Sequence, residues 1–186
     1  EEQGWEPLAD EIRSAIAPGT KLVVVTNPHN PTGQVLSDEA RRIIVERSAN
    51  VGAWLLADEV YQGAELNGRT TSSFWGSYER VIVVNGLSKA YGLPGLRIGW
   101  LVAPASFTAE AWARHDYTTI GPSGVSDHLA AVALEPRVRD KLLERGRIQD
   151  MVRVCALGHV PIPSEQLLAR GDKALILKDI DLVINL

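Results

Sequence analysis

The chain has 186 residues, 45% apolar and 23% charged, with 19 Lys and Arg against 23 Asp and Glu for a formal net charge of −4. Such a composition builds a globular core, and the near-neutral balance gives no reason to expect nucleic acid or a membrane surface as a partner. A single cysteine, Cys155, excludes an internal disulfide framework and suits a reducing, cytoplasmic compartment.

The chain opens with Glu1-Glu2-Gln3-Gly4-Trp5 and no methionine, the pattern expected of a trimmed chain or a piece of a longer one. No apolar run is long enough to span a bilayer or to act as a signal sequence. Leu8 to Ile16 carries a short helical pattern that Pro18-Gly19 stops. Lys21 to Thr26 is a β-branched run without alternation, which predicts a strand buried on both faces. Ser37 is the expected cap of the next helix, which ends before Gly52. Ala53 to Ala57 predicts a second strand delivering Asp58, and Arg80 to Asn85 a third delivering Gly86-Leu87-Ser88-Lys89. A fourth strand is expected within Leu96 to Ala103, closed by Pro104. Ser106 to Arg114 and Ser126 to Glu135 look helical, and Pro136 fits the first turn of a further helix. The order predicts an α/β fold with a mostly parallel central sheet flanked by helices.

Chemistry in such folds sits at the carboxyl ends of the strands. Three strands here deliver polar groups: Asn27-Pro-His-Asn-Pro-Thr-Gly33, Ala57-Asp-Glu-Val-Tyr61 and Gly86-Leu-Ser-Lys89, with Arg97 close behind. A lysine in a turn just past a buried strand is a candidate Schiff-base amine. An aspartate at the end of an apolar run is costly unless it meets a cation or several donors. The protonated ring nitrogen of pyridoxal phosphate is such a cation, and Asn30 and Tyr61 could donate to the ring's phenolic oxygen. Arg97 offers the fork suited to a phosphate, and Ser88 a hydroxyl.

These three stretches, the last extended as Leu87-Ser-Lys-Ala-Tyr-Gly-Leu-Pro-Gly-Leu-Arg-Ile-Gly99, resemble the class I/II aminotransferase family of fold type I pyridoxal-phosphate enzymes. The resemblance implies Lys89 as the aldimine lysine and proton carrier, and Asp58 as the partner of the pyridine nitrogen. It implies Asn30 and Tyr61 on the phenolic oxygen, Arg97 on the phosphate, and Asn30 also near the substrate carboxylate. The reaction implied is transamination of an amino acid against a 2-oxo acid, in a parent that is a homodimer. Three residues before the lysine many members carry serine or threonine, whereas this chain has Gly86, which shifts phosphate binding toward Ser88 or toward the backbone N–H of Gly86. A weaker resemblance, around Phe74-Trp-Gly76, Asn85 to Lys89 and His115 to Thr119, is to members of the capreomycidine-synthase type, which gives a cyclase or lyase as the alternative.

The resemblance assigns residues 1–120 to the later part of a large cofactor domain and residues 121–150 to a helical exit toward a small domain. Residues 151–186 diverge, and neither Arg153 nor Arg170 has the surroundings of a substrate-carboxylate arginine. The expectation is therefore a fragment that binds cofactor poorly, or a non-catalytic remnant. His29 reads as a loop residue, His115 as a helix-end contact, Tyr91 and Trp100 as packing aromatics, and no metal site is expected at His128 or His159.

Overall fold

The computed structural model describes residues 5–65 and 67–145. The expectations for residues 151–186, with Cys155 and His159, lie outside the described residues. The elements run α1 (Ala9–Ala15), β1 (Leu22–Thr26), α2 (Asp38–Val51), β2 (Trp54–Asp58), β3 (Val81–Gly86), β4 (Gly99–Val102), α3 (Ala105–His115) and α4 (Gly124–Leu134), and residues 136–145 are again helical.

The sheet has the order β1-β2-β3-β4, with β1, β2 and β3 parallel and β4 antiparallel to β3. Leu22 is level with Trp54, Val24 with Leu56, and Asp58 with both Thr26 and Val84, so these residues share one face. The intervening residues Val23, Val25, Leu55, Ala57, Val81 and Val83 face the other way. There they meet Ile12 and Ile16 with Ala40, Ile43 and Ile44 of α2 and Phe74. The buried positions of α2, Ala40, Ile43, Ile44 and Ser48, follow the helical repeat. Ser37 caps α2 as its sequence predicts, its hydroxyl accepting the Ala40 N–H at 3.1 Å, and Gly52 ends it in the left-handed region.

The strand over residues 21–26 departs from its expectation of burial on both faces. Leu22 is 50% and Val24 61% exposed. Both lie on the face opposite α1 and α2, on a strand that forms the edge of the described sheet. The same face is covered farther in, where Phe107 of α3 packs against Trp54 with ring centroids 5.2 Å apart.

Two boundaries also shift. The fourth strand begins only at Gly99, because Pro94–Leu96 forms a 3-10 turn and Arg97 then adopts φ 55°, ψ 41°. α4 begins at Gly124 rather than Ser126, because Ser123 supplies the capping hydroxyl to the Ser126 N–H at 3.1 Å.

A second, smaller core forms around Leu87, Ala130 and Ala133, with Tyr91, Leu93, Leu96, Ile98, Trp100 and Leu142 packed against it. Tyr91 and Trp100 meet edge to face at 6.2 Å, the packing role their sequence suggests. This core backs the turn that follows β3.

Candidate active site

Parallel strands end at one edge of the sheet, which brings the loops after β1, β2 and β3 to the same side. β4 runs the other way and starts level with the end of β3, Gly99 opposite Gly86. Arg97, two residues before Gly99, therefore belongs to that edge too. The topology gathers Asn30, Asp58, Tyr61, Ser88, Lys89 and Arg97 at one end of the sheet.

Asn27 and the loop behind it are built by local bonds. Asn27 is buried, its side-chain carbonyl accepting the Leu36 N–H at 3.0 Å and its own N–H donating to Asp58 O at 3.0 Å. The first bond closes the loop from residue 28 to residue 35; the second fixes it to the end of β2. Asn27 is thus a structural tie, while Asn30 stands exposed at the loop's outer end. His29 is also exposed and its Nδ1 is engaged with the Thr32 hydroxyl at 2.8 Å, in keeping with a loop role.

Asp58 is half-buried and accepts the Val60 N–H at 3.1 Å, a local turn that orients its carboxylate. Tyr61 lies half-buried in the next turn, where the Gln62 N–H reaches Glu59 O at 2.9 Å and the Ala64 N–H reaches Tyr61 O at 2.9 Å.

Lys89 and Ser88 are half-buried between two fully buried neighbours, Leu87 and Ala90. Those apolar neighbours hold the main chain while leaving the lysine side chain to emerge. The turn is closed by Gly92 N–H on Lys89 O at 2.9 Å and Leu93 N–H on Leu87 O at 2.9 Å. The Ala90 N–H donates to Val60 O at 3.3 Å, so the lysine turn is joined directly to the aspartate loop.

Arg97 is exposed, its guanidinium donating to Pro94 O at 3.2 Å. Its left-handed backbone costs about 1–2 kcal/mol in a residue with a side chain, a strain held by the 3-10 turn before it and β4 after it.

Gly86 has no room for a side chain. A Cβ there would lie 2.9 Å from Ile98 O and 3.2 Å from Gly99 Cα, main-chain atoms just before and at the start of β4. The glycine at this position is set by the close approach of β3 and β4.

Behind the site lie residues whose importance the motifs did not reveal. Glu59 is 2% exposed, and one of its carboxylate oxygens accepts both the Phe74 N–H at 2.7 Å and the Ser73 hydroxyl at 3.0 Å. Arg41 of α2 lies over the Phe74 ring at 4.0 Å and donates to Ser73 O at 3.1 Å. Burial pushes the Glu59 carboxyl above the usual range, against the opposing pull of its hydrogen bonds and of Arg41. Burial lowers Arg41 from its ordinary value. Glu65, also buried, accepts the Gly63 N–H at 2.8 Å and both the N–H and the hydroxyl of Thr71, which folds the following loop back on itself. The adjacency Asp58-Glu59 held a usable signal, since two successive residues at a strand end face opposite ways.

His115, at the end of α3, stacks on Trp112 at 5.3 Å and meets the Thr119 hydroxyl at 3.2 Å, a helix-end contact as its position suggests. Among the described residues no helix is long and apolar enough to cross a membrane.

Comparison with known proteins gives a consistent result. A model of the aminotransferase class I and II family matches residues 1–156. Capreomycidine synthase from Streptomyces vinaceus is 34% identical over 154 residues, 79% of this chain and 40% of that protein. A probable aspartate/prephenate aminotransferase from Thermus aquaticus is 32% identical over 136 residues, 73% of this chain and 36% of that protein. Among solved structures, a PLP-dependent aminotransferase from Streptococcus suis 89-1591 superposes with a TM-score of 0.72 at 36% identity, over 85% of this chain and 41% of that one. The chain thus spans well under half the length of the relatives it matches.

Proposed function

Because the chain belongs to the class I and II aminotransferase family, we propose that it carries the lysine-bearing part of a pyridoxal-phosphate site for amino-group transfer between an amino acid and a 2-oxo acid. The observation that carries this reading is the convergence of Asp58, Lys89 and Arg97 on one sheet edge, two from parallel strands and one from the turn into a reversed strand. The donor set fits the cofactor: an amine, an oriented carboxylate and an exposed guanidinium.

In this reading Lys89 is the amine that would hold the cofactor through its aldehyde group and would carry the substrate Cα proton. Asp58 would pair with the ring nitrogen, Asn30 and Tyr61 would hold the phenolic oxygen, and Arg97 with Ser88 would hold the phosphate. Asn30 also lies toward the substrate carboxylate. The bound cofactor supplies an electron sink for charge developing at Cα. Residues 1–120 serve as part of a large cofactor domain, residues 121–150 lead toward a small one, and residues 151–186 form a divergent segment. The complete parent is a cytoplasmic homodimer, and the 186-residue chain alone binds cofactor weakly and turns over little.

Similarity to capreomycidine synthase supports a second reading, in which the same lysine site serves cyclisation or elimination of a basic or hydroxylated amino acid. Recovery of the amino group on an added 2-oxo acid, as a new amino acid, separates transamination from that alternative, since elimination releases the nitrogen as ammonia and cyclisation keeps it in the product.

The test is borohydride fixation of pyridoxal phosphate on the purified chain, followed by peptide mass spectrometry. Cofactor should be fixed on Lys89 in preference to Lys21 and Lys141, only at high cofactor concentration, and Lys89→Ala should remove the site-selective label. Equal labelling of Lys21, Lys89 and Lys141 would sink the assignment. Stoichiometric fixation at low cofactor concentration would overturn the expected weakness of the isolated chain.

A further inference from the structure

We infer that Glu59 is a positioning residue that holds the Asp58–Tyr61 loop and, through it, the Lys89 turn. The inference rests on the reading of Asp58 and Lys89 given above.

Asp58 and Glu59 are adjacent acids with opposite surroundings. Asp58 is level with Thr26 and Val84 on the sheet face away from α1 and α2. Glu59 continues the ladder, its N–H donating to Val84 O at 2.9 Å, and its buried side chain meets the segment at Ser73 and Phe74 near α2. The main chain at the site is therefore anchored from behind by a side chain that is not itself on the site face.

The anchor is specific. A single oxygen of Glu59 accepts from Phe74 N–H and from the Ser73 hydroxyl, and Phe74 is fully buried in the main core. Arg41 closes the other side through the Phe74 ring and the Ser73 carbonyl, tying the cluster to α2. The bond that passes this order forward is the Ala90 N–H on Val60 O at 3.3 Å, one residue beyond Glu59 on one side and one beyond Lys89 on the other. Loss of the anchor frees Val60, and with it the turn that aims the lysine. Asp58 loses its reference in the same step, since its carboxylate is oriented by the Val60 N–H.

A burial role alone predicts only lower stability. A positioning role predicts loss of lysine selectivity beyond what lower stability produces. The experiment compares Glu59→Ala, Glu59→Gln and Ser73→Ala with Ile12→Ala, a change in the main core on α1 that serves as a matched control for destabilisation. Each full chain is treated with pyridoxal phosphate and borohydride, and the label on Lys89 is divided by that on Lys21. Glu59→Ala should lower this ratio roughly tenfold or more, because small misplacements of a reacting group have large effects. Glu59→Gln keeps a carbonyl oxygen to accept both bonds and should retain the ratio within about twofold. Ser73→Ala removes one of the two donors and should give a smaller fall in the same direction, which keeps the test alive if Glu59→Ala does not fold. Ile12→Ala should keep the ratio at an equal loss of urea midpoint.

Amide hydrogen exchange without cofactor provides the arm that does not depend on the proposed function. In Glu59→Ala, peptides over residues 58–65 and 87–92 should both exchange faster, while one over 9–15 does not. A wild-type ratio in Glu59→Ala, a fall in Glu59→Gln as deep as in Glu59→Ala, or a fall reproduced by Ile12→Ala would each overturn the inference. If wild type shows no preference for Lys89, the site reading fails; exchange restricted to 58–65 would then overturn the coupling to the lysine turn as well.

Discussion

Gly86 stands where the resemblance leads one to expect a hydroxyl near the phosphate, and the obvious reversion is Gly86→Ser. The structure predicts that this reversion fails. Its Cβ would press on Ile98 O at 2.9 Å, a main-chain atom just before β4 that is held by the Leu87 N–H at 3.0 Å. Gly86→Ser should lower stability by about 1–3 kcal/mol, the usual range for overpacking, and leave cofactor fixation on Lys89 no stronger. A urea titration with the borohydride assay checks both; unchanged stability with stronger fixation would show that the strands can part. The site motifs at this scale were legible because each places an unusual residue type at a strand end: a lysine between buried neighbours, an aspartate closing an apolar run, an arginine in a glycine-bounded turn. Glu59 was not legible from its identity. An acid following an acid reads as surface, and only strand alternation carried to the last residue separates the two sides.

At the scale of elements, helix α2 shows most directly what local sequence controls. Ser37 caps it, Asp38 and Glu39 lie in its first turn where negative charge is favoured, and Gly52 ends it with φ 69°. Ser37→Ala should cost about 1 kcal/mol by leaving the Ala40 N–H without its cap. The loss should appear as a lower urea midpoint with unchanged Lys89-to-Lys21 labelling, because the cap is on the helix and not on the strand-end loops. A change in the labelling ratio would instead tie α2's first turn to the site. The strands were located by composition, but their surroundings were not. The run Leu22-Val-Val-Val25 has no alternation, so it carried no information about which face would be open; the open face at Leu22 and Val24 follows from the neighbouring elements. Likewise, Arg97 emerged from a 3-10 turn rather than a strand, since Pro94 and Gly95 set the backbone before β4 begins.

For the described fold as a whole, the arrangement that gathers the site also imposes an electrostatic cost, and that cost has a predictable pH dependence. Turning Glu59 away from the Asp58 face inserts a carboxylate into the core beneath the sheet, where burial raises its pKa despite Phe74, Ser73 and Arg41. A raised carboxyl pKa means that the folded chain binds this proton more tightly than the unfolded chain. As pH rises past the ordinary glutamate value of about 4.3, the unfolded chain releases the proton first. The folded chain retains it until its own higher pKa is reached. The contribution of Glu59 to stability is thus fully present below the unfolded value and is lost as pH climbs through the folded one. Glu59→Gln cannot titrate, so subtracting its unfolding free energy from that of wild type isolates this group. The difference should be level at acid pH, turn against wild type from about pH 4.3 upward, and level off again once the folded carboxyl has ionised. Urea unfolding of the two full chains across this range, followed by tryptophan fluorescence, measures it. A flat difference would mean that Arg41 and the two hydrogen bonds balance burial, and one that moves in favour of wild type as pH rises would mean that they outweigh it. Glu59 would then stabilise the fold as an ion rather than cost it. The predicted slope makes the opposite statement: the acid is held at a cost in stability, and what it returns is the order of the loop bearing Asp58.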